Sequence, residues 1–184
     1  MSIQTVLRLG DPLLHKRSLD VGNPASAEIQ SLVNDMFDTM RHYEGAGLAA
    51  PQIGVLKRVV IFGFKSNPRY PDVDPVPETV LINPVIKILG SEEVKDWEGC
   101  LSIPGMRGLV SRPDHIHYSG YNQHGDFFER EVDGFHARVV CHECDHLDGI
   151  LYVQRMKDLS ELGFIPELES SARYTPVQCD TCDK

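Results

Sequence analysis

The chain has no apolar run long enough to cross a bilayer. Its densest apolar stretch, Val59 to Phe64, has the length of a strand. Met1 to Leu9 hold no apolar core of the size a secretory signal requires, so a cytoplasmic protein with no membrane association is expected. An excess of positive charge is also absent. Lys and Arg number 18 against 27 Asp and Glu, a net charge of −9, which argues against nucleic-acid binding over a broad basic surface. Phosphate-binding glycine patterns are missing: no G-x-G-x-x-G occurs, and no Gly-Lys-Ser/Thr. There is no internal repeat and no low-complexity segment. The five cysteines (Cys100, Cys141, Cys144, Cys179 and Cys182) make an odd count. Without an export signal, that suits free thiols or metal ligands better than a disulfide framework.

What is present is ordinary globular material. The 184 residues are 41% hydrophobic and 24% charged, enough for a real core. One domain over residues 1–170 is expected, followed by a polar tail, 171–184. Val6 to Leu14 alternates loosely and runs into a turn at Gly10-Asp11-Pro12. Ile29, Leu32, Val33, Met36, Phe37 and Met40 recur at three- and four-residue steps. They predict a helix over 24–42, capped by Asn23 or Ser26 and ended by Gly45 and Gly47. Gly45 to Gln52 carries two Gly and three Ala, which suits either a helix cap with a packing loop or a close backbone approach to a ligand.

Strands are expected at 58–64, at 79–89 with an interruption at Asn83-Pro84, and at 92–97. A hairpin is expected from 115–121 and 127–132 around Asn122 to Asp126. The four prolines between Lys65 and Glu78 mark an irregular loop. A second helix is predicted over 135–147, apolar on several sides, then a short strand at 151–153 and a short helix at 161–172. Strands surrounding one central helix, with few β-α-β units, point to an α+β fold of mostly antiparallel sheets packed around that helix.

The chemistry gathers on the second helix, in His142-Glu143-Cys144-Asp145-His146. Four residues make about one helical turn, so both imidazoles share a face and can hold one metal ion. Glu143 sits about 100° around, where a base beside a bound water belongs. A catalytic site wants a third protein ligand and an open fourth position. In the frame H-E-x-x-H-x-x-G-x-x-H, Gly149 fits, but the last position is Tyr152. Downstream, Glu161, Glu167 and Glu169 are available, as in thermolysin-like proteases. Upstream stands Cys100, within Trp97-Glu98-Gly99-Cys100-Leu101-Ser102.

Three stretches now stand in order: G-A-G-L-A-A-P-Q at 45–52, E-G-C-L-S at 98–102 and H-E-C-D-H at 142–146. Together they resemble the peptide deformylase family. The likeness extends over about residues 5 to 157, through Gly10-Asp11-Pro12-Leu13-Leu14, Leu81-Ile82-Asn83-Pro84 and Asp145 to Gly149. The resemblance implies a single catalytic domain that removes the formyl group from the N-terminal formyl-methionine of nascent polypeptides. Its substrate would be supplied at the ribosome.

By the resemblance, Cys100, His142 and His146 are the metal ligands. It also implies ferrous iron in the cell, with zinc, nickel or cobalt able to replace it. Glu143 becomes general base and then acid. The Gln52 side-chain amide and the Leu101 backbone N–H become donors to the oxyanion. Ala46, Gly47 and Gly99 would pair their backbones with the substrate. Val139, one turn before His142, would line the pocket for the first side chain. Glu98 and Arg112 would be the buried ion pair behind the site. Cys141 departs from the family, which usually has Gln there. It is expected to be a core thiol away from the ligand face, as is Cys144. Cys179-x-x-Cys182 lacks a matching second pair for a metal site.

Overall fold

Helix α1 (Ala27–His42) forms where the apolar stripe predicts it, and the Ser26 hydroxyl accepts from the Ile29 N–H at 3.4 Å to cap its start. In the computed structural model, which describes residues 2–67, 70 and 73–174, this helix packs against the small-residue stretch. That stretch is not merely a loop. Gly47–Ala49 is a short buried strand, β1, and Ala50–Ile53 a 3-10 turn. Chain then runs through β2 (Val59–Phe64), β3 (Val76–Ile88), β4 (Glu93–Cys100) and β5 (Ile103–Pro113). It continues as β6 (His115–Tyr121), β7 (Phe127–Asp133), helix α2 (Gly134–Leu147), β8 (Leu162–Phe164) and helix α3 (Ile165–Ser170).

Two sheets result, both antiparallel throughout. One has five strands in the order β1-β2-β3-β6-β7, the other three in the order β4-β5-β8. The expected α+β class and central helix are what the chain adopts. Helix α2 lies against β1 and β2 and also touches β5. Its apolar side (Val140, Cys144, Leu147) joins a cluster with Val60, Phe62 and Tyr118. Asn83-Pro84 does interrupt β3, as a register shift between Ile82 and Val85, with Asn83 at φ 51°. The Asn83 side chain repays the break by bonding both backbone groups of Val21, at 2.9 Å each.

Two local expectations are corrected, and one strand is added to those expected. The segment before the expected turn ties two loops down, Leu7 N–H donating to the Gln52 carbonyl and Leu9 N–H to the Ser102 carbonyl, both 2.8 Å. Strand β5 was not foreseen beyond β4, because Pro104, Gly105 and two buried arginines break the apolar alternation. The strand expected at 151–153 is a 3-10 turn, Tyr152–Gln154, closed by the Gln154 side chain accepting from Leu151 N–H at 2.7 Å. The helix expected at 161–172 is split, because Leu162–Phe164 pairs with β5 and leaves only α3 helical. Residues 175–184, with Cys179 and Cys182, lie outside the described residues. Among the described residues no helix is long and apolar enough to cross a membrane.

Candidate active site

Two pieces of backbone deliver the site. Strand β4 shifts register between Glu98 and Cys100, then turns through Leu101-Ser102 into β5, with Cys100 opposite Ile103. A bulge of this kind re-aims side chains, and Cys100 is buried. Facing it, one turn of α2 presents His142 and His146, also buried. The ligand atoms of Cys100, His142 and His146 lie within 4.8 Å of one another. They form the one group of three or more potential ligands among the described residues. Glu161 is instead paired with Lys95 at 2.6 Å.

The His142 ring is oriented by a carboxylate. His142 Nδ1 meets Glu98 Oε2 at 2.8 Å, which leaves Nε2 for the cluster. His146 Nε2 lies 3.3 Å from Cys100 Sγ. Glu98 is held bidentately by Arg112 at 2.8 and 2.9 Å, so the expected pair is present and buried. Arg112 also reaches Asp145 at 2.5 Å, and Arg155 grips that carboxylate from the other side. Burial would raise the Glu98 carboxyl, but the hydrogen bonds from Arg112 and His142 outweigh it and hold it well below the usual carboxylate range. Burial pushes the Cys100 thiol up, yet His146 and His142 together pull it well below its ordinary value. A thiol already disposed to ionise beside two imidazoles suits a divalent ion of the borderline class.

Glu143 is buried on the same turn with no ion-pair partner, and its Oε2 has no hydrogen-bond partner among the described residues. Burial is the main cause that pushes its carboxyl up to about 7, against the pull of His142 and His146. That value suits a group that takes and returns a proton near neutrality. Gln52 is fixed at its oxygen end, which accepts from Ala49 N–H at 2.8 Å. Its Nε2 therefore points to Cys100 Sγ (3.4 Å) and Ser102 Oγ (3.2 Å).

A cleft opens over these groups. Ala46, Gly47, Gly99 and Leu101 form its backbone edges, and Val139 lies in its wall. Sequence reasoning missed four further lining residues: Tyr70, Trp97, Phe135 and Arg138. Tyr70 and Phe135 meet at a tilt with 4.8 Å between ring centres, and Trp97 meets Tyr174 edge-on at 5.5 Å. Phe135 belongs to the apolar helix face read from the sequence; Arg138 shares that helix and Trp97 shares β4 with Cys100, and only Tyr70 comes from a distant segment. Gly47 and Gly99 are small for a second reason as well: a Cβ at either would run into Glu143 or Arg107. Cys141 sits half-buried beyond the ligand face, where burial pushes its thiol up to about 11, and Cys144 is in the core.

A buried Cys-His-His cluster, a buried carboxyl beside it and an amide donor on an α+β frame suit a metal-dependent hydrolase. The model of the polypeptide deformylase family matches residues 3–161, and the chain belongs to that family. Peptide deformylase 1 of Bordetella pertussis is 52% identical over 174 residues, covering 92% of this chain and 99% of its own. Peptide deformylase 1 of Nitrosomonas europaea is 54% identical over 166 residues, covering 90% and 94%. Among solved structures, a Met-Ala-Ser-bound class I type b peptide deformylase from Acinetobacter baumannii matches with a TM-score of 0.81. It is 38% identical and covers 85% of this chain and all of its own. The enzyme from Thermotoga maritima matches with a TM-score of 0.75 at 33% identity, with 85% and 100% covered. The chain is thus a hydrolase that removes the N-formyl group from the N-terminal formyl-methionine of newly made polypeptides.

Proposed function

We propose that Cys100, His142 and His146 hold one divalent ion, and that Glu143, Gln52 and Leu101 carry the hydrolysis. The ion supplies Lewis acidity and makes water a better nucleophile at neutral pH. Glu143 takes a proton from the attacking water as its oxygen bonds to the formyl carbon. The Gln52 amide and the Leu101 N–H donate to the formyl oxygen as negative charge develops there. Glu143 then returns the proton to the amine nitrogen as the C–N bond breaks, releasing formate and a free N-terminus. Ala46, Gly47 and Gly99 offer backbone groups to the peptide, which lies extended between β1 and the end of β4. The methionine side chain enters the slot beside Val139.

The observation that carries this reading is Glu143, buried without an ion-pair partner among the described residues on the same helical turn as two of the three clustered ligands. We take ferrous iron as the cellular ion, with zinc, nickel or cobalt able to replace it, since a thiolate and two imidazoles accept several first-row ions. We also assign the protein to the cytoplasm, where the ribosome supplies its substrate. No direct nucleic-acid contact is required.

The test is formate release from formyl-Met-Ala-Ser by protein purified without oxygen and analysed for metal. The wild type should release formate, and Cys100→Ala should lose most of its metal and turnover. Full metal and full activity in Cys100→Ala would move the third ligand elsewhere and overturn the assignment.

A further inference from the structure

The three candidate ligands come from parts of the fold that share no strand ladder. Cys100 ends β4 in the three-stranded sheet, whereas His142 and His146 ride on α2 against the five-stranded one. Ligand geometry therefore depends on what fixes the β4–β5 hairpin to the helix.

That connection follows one stripe of α2. Arg138, His142 and Asp145 stand at i, i+4 and i+7, so they share a face. His142 bonds Glu98 of β4, and Asp145 receives Arg112 of β5. Arg138 makes three bonds. Its guanidinium donates to Glu98 Oε1 at 2.8 Å, to the Val110 carbonyl at 3.0 Å and to the Val94 carbonyl at 2.6 Å. Of the three stripe residues, Arg138 alone reaches both β4 and β5. It is 6% exposed, and it was invisible in the sequence as anything but a charge on an apolar helix.

Its grip on Glu98 matters most. Glu98 Oε2 serves His142 and Arg112, while Oε1 serves Arg112 and Arg138. Arg112 pulls from the hairpin and Arg138 from the helix, which leaves the carboxylate little freedom to swing. The orientation of His142 is set by that carboxylate.

We propose that Arg138 is a positioning residue of the metal centre. It pins the carboxylate that aims His142, and it sets the spacing between helix and hairpin, hence between the His pair and Cys100. Both its terminal nitrogens are engaged, Nη1 by Glu98 and the Val110 carbonyl and Nη2 by the Val94 carbonyl, so it acts through Glu98 and the backbone. The idea rests on the ligand assignment proposed above.

The test uses Arg138→Lys and Arg138→Met in the full chain, loaded with cobalt. Lys keeps the charge and stem, but one ammonium cannot serve acceptors spread as these are. Four readouts separate the alternatives: cobalt release into a chelator, the visible cobalt spectrum, the melting temperature of the metal-free protein, and kcat and KM on formyl-Met-Ala-Ser. Release should quicken by roughly ten- to a hundredfold in both variants, with an altered spectrum and a fall mainly in kcat. A lowered melting temperature with wild-type release and spectrum would reduce Arg138 to a packing role and overturn the proposal. Should Arg138→Met fail to fold, Arg138→Lys decides alone by the same criteria. Cys100→Ala in the same series separates the two ideas. If it keeps its metal, the ligand assignment has failed; if it loses metal while both Arg138 variants hold theirs, only the positioning role has failed.

Discussion

Gly47 and Glu143 are packed so closely that a methyl group cannot fit between them: a Cβ built on Gly47 would lie 2.5 Å from Glu143 Oε1 and 2.7 Å from its Cδ. Gly47→Ala keeps the backbone that would pair with a peptide, so a role in pairing alone predicts tolerance. The contact predicts instead that the carboxylate is displaced. Turnover should fall at least about tenfold, because proton transfer depends on placement. Metal content should stay at the wild-type level. Unchanged kcat in Gly47→Ala would remove Glu143 from the role given to it.

Glu143→Gln should retain its metal and lose roughly 10²–10⁴-fold in turnover. It also has a signature in stability. The Glu143 carboxyl sits at about 7 in the folded metal-free chain, against an ordinary value of 4.5. Below pH 4.5 both folded and unfolded states hold the proton. As pH rises from 4.5 to 7 the unfolded state loses it first, so the folded state is progressively disfavoured, and above 7 the loss is complete. Metal-free wild type should therefore lose stability relative to Glu143→Gln across that window, by on the order of 3 kcal/mol. Parallel denaturation curves for the two proteins from pH 4.5 to 8 would contradict the buried, raised carboxyl.

Substrate choice tests the cleft wall. Val139, Phe135 and Tyr70 make an apolar slot, and burying a methionine side chain there contributes about 1.5–3 kcal/mol. Formyl-Met and formyl-norleucine peptides should exceed formyl-Ala and formyl-Asp peptides in kcat/KM by roughly tenfold to over a hundredfold. Equal rates on formyl-Met and formyl-Asp would show that the first side chain does not enter this slot.

Deleting residues 177–184 should leave formate release and metal content nearly intact, since they follow the residues 3–161 that match the family. A large fall in either would give the Cys179-x-x-Cys182 pair a function.

The metal helix was legible because its chemistry is local: the H-E-x-x-H spacing places both imidazoles on one turn, whatever surrounds it. Strand β2 was legible as a continuous apolar run, β6 and β7 from the turn residues between them, and Cys100 entered through the likeness of its flanking residues. Strand β5 was hidden because Arg107 and Arg112 are buried where the pattern asks for apolar residues. The cost of burying Arg112 is offset by Glu98 and Asp145, 14 residues upstream and 33 downstream. Arg138 escaped notice for the same reason. A guanidinium on an apolar helix reads as solvent-facing until its three acceptors on another sheet are seen. Tyr70 reaches the cleft only through long-range folding, which no spacing encodes.

Trp97 is the chain's single tryptophan, and it stands in the cleft wall against Tyr174. All indole emission from this protein therefore originates at the mouth of the site. A peptide entering the cleft changes the polarity around that ring, so binding can be titrated optically without a label. Because the ring belongs to the same strand as Cys100, metal loading can be followed through the same signal.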